Sequence, residues 1–333
     1  MGHPMSLVDR ALIEWDEGFR FKPTKGRVGK RTIAGARIAV NTPAPLKSQG
    51  ASAARGRLNR VVRKVPEVMV KVSGGGRGMN RIRPHLDYIS RNGAVPLEDE
   101  TGRVIAGREA VRDLGQEWKY GLYGIPEESR RKESFNIVLS MPPGTDRAAV
   151  TDAARAFAKV EFNENHQYVF ATHDDERHPH VHLCVKALGI DGTRLNPRKA
   201  DLQRWRERFA ETLRDHGVEA NATPRHLRGA LRRTVRQAAR HATPHQDHAQ
   251  APRTASPAVI KGYAKLALAL AQGEQEDRSL AIGITKVVTD MKTVPASQDV
   301  RSAEQRTSGY LNKDEQDKAP RRSPSKPPSS PDR

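Results

Sequence analysis

The run His173-Asp174-Asp175-Glu176-Arg177-His178-Pro179-His180-Val181-His182 limits what this chain can fold into more than any other stretch. It holds four of the twelve histidines, with three carboxylates between them. Scarce imidazoles clustered in this way point to a metal. The residues that follow, Leu183 to Ala187, alternate and are β-prone. Side chains two apart on a strand share a face, so His180 and His182 point the same way while Val181, Leu183 and Val185 face a core. Upstream, Gln167 to His173 also reads as a strand, and the charged segment 174–178 turns between the two. A hairpin pairing residues whose numbers sum to about 353 sets His173 beside His180. His173, His180 and His182 then converge on one face, a three-ligand set that leaves coordination positions open, as a catalytic metal requires. Cys184 shares that face and is read as packing rather than as a fourth ligand.

The other strands and helices are built around this hairpin. Residues 66–73 alternate as a strand and are broken by Gly74-Gly75-Gly76-Arg77-Gly78, which lacks the Gly-Lys-Ser/Thr ending of a phosphate-binding P-loop. Asn80 to Arg91 reads as a helix bearing Tyr88, with His85, Asp87, Ser90 and Arg91 around it. A helix is expected over 105–119 and a strand over 134–141, stopped by Pro142-Pro143-Gly144. Helices are expected over 147–160 and 199–216, and a further basic helix over 223–240. This pattern predicts an α+β domain, an antiparallel sheet of about five strands with helices on one face and the histidines on the other.

Charge bounds the partners. The formal net charge is +19 with a pI near 10.3, 36% of residues are hydrophobic, 5% are aromatic, and mean hydropathy is −0.72. Such an excess of cations calls for a polyanion, above all nucleic acid. The two basic helices are expected to track phosphates, and the cluster Arg55, Arg57, Arg60, Arg63 and Lys64 either holds phosphates or is a solvated arm. The composition is too polar for one packed core along the whole length, so basic N- and C-terminal extensions are expected to be largely disordered. The division expected is residues 1–62 as extension and linker (with 42–56 as the linker), 63–236 as the folded central domain, and 237–333 as a partly helical tail. His241, His245 and His248 are read as solvated. No apolar run suits a membrane span or a signal peptide, and the single cysteine fits a reducing cytoplasm, so a cytoplasmic protein without membrane insertion is expected.

Three segments carry a resemblance. Val70 to Val95 ("VKVSGGGRGMNRIRPHLDYISRNGAV") resembles the first motif of plasmid mobilization relaxases of the HUH endonuclease superfamily, particularly those of the T-DNA border endonuclease type. Residues 136–146 ("NIVLSMPPGTD") resemble the second motif, and 173–185 ("HDDERHPHVHLCV") the third. The likeness continues through 205–229 and covers roughly 66–230. It implies Tyr88 as nucleophile and His173, His180 and His182 as ligands of Mg²⁺ or Mn²⁺. Asp175 would orient a ligand or assist deprotonation. His178, Ser140 and Arg91 would act around the site or on DNA. The implied reaction is site- and strand-specific nicking and rejoining of single-stranded or locally melted transfer-origin DNA through a 5′-phosphotyrosyl link. The implied partners are accessory nicking proteins, a coupling protein and a type IV secretion channel, with export of the DNA-linked protein into a recipient cell and 318–333 as its recognition signal.

Three other readings compete. A rolling-circle replication initiator or a transposase of the same superfamily would use a tyrosine after the histidines, here Tyr263 or Tyr310. A basic DNA-binding protein without enzymatic activity would bind but not cut. A metal-dependent hydrolase would release a free 5′-phosphate.

Overall fold

The computed structural model describes residues 5–19, 50–162, 164–224, 227–228 and 255–292. The tail 318–333, His241, His245, His248, Tyr310 and nearly all of the helix expected over 223–240 lie outside them. The domain is α+β, as expected, built on six antiparallel strands in the order β1-β4-β6-β5-β2-β3. These are β1 (Met69–Gly74), β2 (Leu97–Asp99), β3 (Val104–Ile105), β4 (Ser134–Ser140), β5 (Tyr168–His173) and β6 (His180–Lys186). The hairpin β5–β6 pairs Tyr168 with Val185 and His173 with His180, the register anticipated from the alternation. The two short strands β2 and β3 are the addition. Leu97-Glu98-Asp99 has little β propensity of its own, and it pairs at the sheet edge through only two residues of β5.

The even-numbered residues of β6 define one face and the odd-numbered ones the other. Val181, Leu183 and Val185 join Ile137, Leu139 and Phe170 in a core closed by α5 (Arg147–Phe162) and α6 (Lys199–Asp215), where Phe157, Trp205 and Phe209 are fully buried. The opposite face carries the histidines, and here the expectation of helices on one face alone is corrected. Helices α3 (Met79–Ile89) and α4 (Arg108–Tyr120) cover part of the histidine face through Met79, Ile82, Leu86, Ile89, Leu114 and Trp118, packed on Val169, Ala171 and Cys184. Cys184 is fully buried, and burial pushes its thiol up to about 12, so it is a packing residue.

The glycine run 74–78 is what lets α3 fold back. A Cβ on Gly76 would stand 2.2 Å from Ile82 Cγ1, and Gly78 starts α3 at φ 127°, where a Cβ would stand 2.3 Å from the Glu127 carbonyl oxygen. Only glycine tolerates both conditions. The run is a hinge between strand and helix.

A second core lies at the chain ends. Helices α1 (Leu7–Phe19), α2 (Ala51–Val62), α7 (Pro257–Leu270) and α8 (Gln275–Lys292) share buried Leu12, Leu58, Tyr263, Leu270 and Ile284. Residues 51–56, expected within a linker, are the first turns of α2. Three of the five basic residues there are ion-paired. Arg55 pairs with Asp277 (2.8 Å) and Asp9 (3.4 Å), Arg57 with Asp16 (3.1 Å), and Lys64 with Asp290 (2.9 Å), joining α2 to α1 and, through Asp277 and Asp290, to the C-terminal helices. The arginines of α6 are likewise engaged. Arg204 pairs with Glu161 and with Asp201 (2.9 Å), Arg206 reaches the Val70 carbonyl (3.3 Å), and Arg214 the Ala220 carbonyl (2.9 Å). Helix α6 also sits on the face away from the histidines, so it is not a phosphate track beside them.

Candidate metal and tyrosine centre

Strand pairing assembles the triad. His173 lies opposite His180 across the β5–β6 ladder, and His182 is the next residue on that face of β6. Ring centroids are 4.5 Å apart for His173–His182, 5.2 Å for His180–His182 and 5.4 Å for His173–His180. One ligand nitrogen from each can be chosen so that all three lie within 4.8 Å of one another.

Backbone carbonyls set the tautomers of two of the three imidazoles. His173 Nε2 donates to the Ile89 carbonyl (2.7 Å) and His180 Nδ1 donates to the His178 carbonyl (2.9 Å). A carbonyl can only accept, so each bond fixes the tautomer and leaves the other nitrogen as a lone-pair donor, the usual way a metal-ligating imidazole is oriented. His178 acts here through its backbone, and its side chain is exposed. Burial pushes His182 down to about 3, with the neighbouring His173, His180, His85 and Arg91 adding to it. His173 is lowered too, first by burial. Neutral imidazoles at one point suit a divalent cation, and the donor set fits one.

Helix α3 brings Tyr88 to this point. Ile82, Leu86 and Ile89 bury one side of the helix against the sheet, which leaves Tyr88 on its rim, 52% exposed. The Tyr88 ring centroid is 5.8 Å from that of His182 and 6.3 Å from that of His173. The carbonyl that fixes His173 belongs to Ile89, the residue after Tyr88, so the tyrosine helix and the triad are held by one hydrogen bond. Past the helix end, Arg91 (φ 51°) and Asn92 (φ 57°) take left-handed conformations that are uncommon for residues with a side chain. The reversal lays Arg91 over the Tyr88 ring, 5.1 Å from its centroid.

Arg91 also joins Asp175 to His173. It pairs with the Asp175 carboxylate and places Nη2 3.4 Å from His173 Nδ1. Desolvation works against the Asp175 charge, but Arg91 outweighs it and holds the carboxyl below its usual range. The loop bearing Asp175 is itself held by Arg147, which reaches the His173 carbonyl (3.2 Å) and Asp174 (3.3 Å). Ser140 stands opposite His180 across β4–β6, but it is only 4% exposed and its hydroxyl turns to the Met141 carbonyl (3.4 Å).

Sequence reasoning gave His85 no role. It is three residues before Tyr88, one helical turn away, and its ring stacks beside the tyrosine at 6.2 Å. Burial pushes it down to about 4, and its buried Nε2 has no hydrogen-bond partner among the described residues. The i, i+3 spacing from Tyr88 was the available signal. Tyr263, the later tyrosine a replication initiator or transposase would need, is fully buried in the helical core, with its ring 6.0 Å from Trp15 and its hydroxyl 3.5 Å from the Leu227 carbonyl.

The antiparallel sheet thus presents three histidines to a tyrosine on a covering helix. Residues 109–218 match the family model for relaxases, MobA/VirD2-like, nuclease domain. The chain is also 28% identical over 188 residues to the T-DNA border endonuclease VirD2 of Rhizobium radiobacter, a match covering 51% of this chain and 44% of the relative. The VirD2 proteins of Rhizobium rhizogenes and Agrobacterium fabrum match at the same identity, over 43% and 42% of their lengths. Residues 109–218 are thus similar to the relaxase nuclease domain, and about half of the chain is similar to the T-DNA border endonucleases. The match spans less than half the length of those relatives. Tyr88 precedes the segment matched by the family model, so its place in the site rests on the geometry above. Among the described residues no helix is long and apolar enough to cross a membrane.

Proposed function

We propose that this protein nicks and rejoins one strand of DNA at a plasmid transfer origin, with Tyr88 as the nucleophile. The observation that carries the reading is the position of the Tyr88 ring, 5.8 Å from His182 and 6.3 Å from His173, on the open side of the triad. The similarity to T-DNA border endonucleases supports the substrate class.

His173, His180 and His182 would hold a divalent cation, Mg²⁺ or Mn²⁺. Such an ion supplies Lewis-acid polarisation of a non-bridging phosphate oxygen. The chain's own residues do the rest. The Tyr88 oxygen attacks the scissile phosphorus in line, a tyrosyl O–P bond forms, the P–O3′ bond breaks, and the departing 3′-oxygen takes up a proton. A phenol is a weak nucleophile at its ordinary pKa near 10. The Arg91 guanidinium lies over the ring, 5.1 Å from its centroid, where it can also meet the incoming phosphate. Asp175, charge-paired to Arg91, holds that guanidinium between His173 and the ring. The phenolic proton passes to solvent, to which Tyr88 is half exposed, and His85 stacks beside the ring and positions it. Because the product is a phosphodiester, the 3′-hydroxyl can attack it in turn and rejoin the strand. The strand must be single or melted to bring its backbone to this face.

Residues 63–236 would form the catalytic domain, with the chain ends serving origin recognition, accessory nicking proteins, the coupling protein and export through a type IV channel. The test is incubation with single-stranded origin DNA and Mn²⁺. Wild type should give a covalent protein–DNA adduct and Tyr88→Phe none. An adduct that persists in Tyr88→Phe, or free 5′-phosphate with no adduct, would overturn the reading.

A further inference from the structure

A small cavity of about 90 Å³ lies where the helical core meets the sheet domain, beside α6 and so on the side away from the triad. Its walls come from α1, α2, α6 and the chain at 221–227, and three arginines line it: Arg57 and Arg60 of α2 and Arg214 of α6. Three carboxylates line it too, and each is already engaged. Asp16 pairs with Arg57 (3.1 Å), Glu211 pairs with Arg208 (3.5 Å), and Glu207 accepts from the Gln203 amide (3.2 Å). Arg60 is left over. It is half-buried, forms no ion pair among the described residues, and its buried Nε has no hydrogen-bond partner there. Arg214, also half-buried, gives one donor to the Ala220 carbonyl (2.9 Å) and has no ion pair among the described residues. Burial, then Arg214 and Arg57, push Arg60 down to about 10, and the exposed Glu219 offsets this only in part. Burial lowers Arg214 as well, with Arg57 adding to it. Cations withdrawn from water without a counter-charge are costly, and an anion between them relieves that cost.

Size and shape decide which anion. The cavity is well below the roughly 300–1,000 Å³ of pockets for drug-sized ligands, yet several times the roughly 10–15 Å³ that one water needs. A guanidinium presents its N–H donors as a planar fork that meets two oxygens at a time. Forks arriving from two helices call for oxygens that point in more than two directions. A tetrahedral oxyanion has them and a planar carboxylate does not. A DNA backbone carries sugars and bases with its phosphates, for which the cavity has no room.

We infer that this cavity is a site for a free tetrahedral oxyanion of the phosphate class, gripped by Arg60 and Arg214 with Arg57 beside them. The bound anion bridges α2 to α6 and so fastens the helical core to the sheet domain. The inference is independent of the nicking reaction. Its probe is inorganic phosphate, titrated calorimetrically into the full chain without added metal, at an ionic strength held constant with chloride. Wild type should show saturable binding. Arg60→Gln should weaken it at least about tenfold, as loss of a charge-assisted hydrogen bond does. Arg214→Gln, on the other wall, should do the same. Arg63→Gln removes one charge from an exposed position outside the cavity and should change nothing, which controls for net charge. Because Arg60→Gln relieves a repulsion, it should unfold in chloride no earlier than wild type, so lost binding is told apart from lost folding. Phosphate should raise the denaturant midpoint of the wild-type helical core and leave that of Arg60→Gln where it stands in chloride. No saturable binding by wild type, equal affinity in Arg60→Gln and Arg214→Gln, or acetate binding as tightly as phosphate would overturn the inference. Displacement of the phosphate by a 12-base-pair DNA duplex would assign the grip to a DNA backbone and overturn the free-anion reading.

Discussion

The sheet domain and the helical core at the chain ends are held together by different means. In the histidine hairpin of the sheet domain, neighbours in sequence become neighbours in space. A six-residue turn region separates the hairpin strands, and α5 links β4 to β5 before packing on both. Binding groups and packing groups then alternate along one strand, and a period of two sorts them. The helical core instead joins segments more than 200 residues apart. Its seams are ion pairs such as Arg55–Asp277 as much as apolar contacts. A local pattern can specify the first arrangement. The second depends on complementarity between distant stretches, each of which alone looks like a polar extension.

That comparison can be broken in several ways, and the largest effect should come from the site. Tyr88→Phe should lower adduct formation at least about 10³-fold, as loss of a nucleophile does. Leu270→Ala in the helical core should leave the adduct rate of folded protein unchanged. A large loss of nicking in Leu270→Ala would show that the two regions are not separable. Next in size is the triad. His182→Ala should weaken Mn²⁺ binding by titration calorimetry by more than the roughly 10- to 100-fold that loss of a mere outer partner costs. Unchanged affinity would place the ion elsewhere.

Stability should divide along the same line. Phe157 is fully buried beneath the sheet, and Phe157→Ala should cost about 3–5 kcal/mol, with loss of nicking as the domain unfolds. Leu270→Ala should cost about 2–5 kcal/mol, read as an early transition in denaturant that the sheet domain does not follow. A single shared transition in both variants would mean the two cores fold as one.

The smallest effect is a pH dependence. His182 and His85 are held at about 3 and about 4, below the ordinary histidine value of 6.5, mainly by burial. The unfolded chain therefore binds more protons, and stability rises with pH. Their contribution is fully present above about pH 6.5 and declines as pH falls toward 4 and 3. The metal-free protein should lose denaturant stability on going from pH 7 to 4. His85→Phe should flatten that curve, since burial of the imidazole rather than an ion pair is the cause. A curve of undiminished slope in His85→Phe would assign the dependence to other groups.

How much was legible in the sequence follows from these physical differences. The hairpin register and the triad were readable because His173, His180 and His182 obey a period of two on either side of a short polar turn. Strands β2 and β3 were not, because Leu97-Glu98-Asp99 is recruited by the edge of β5 rather than by its own propensity. The covering of the histidine face by α3 was missed because its cause is steric. The close approach at Gly76 and the backbone of Gly78 become visible only once Ile82 and Glu127 stand beside them. His85 went unassigned for the same reason, since a histidine on a helix takes on meaning from the ring it packs against. The basic cluster at 55–64 misled because positive charge in sequence does not show which carboxylates will meet it.

The central claim is that the tyrosine on α3, Tyr88, is the attacking group at the triad. The most direct measurement is mass mapping of the covalent adduct after nicking and nuclease trimming. The account predicts a nucleotide mass added to the tryptic peptide spanning residues 82–91, whose only tyrosine is Tyr88. A nucleotide on a peptide bearing Tyr263 or Tyr310 would contradict it.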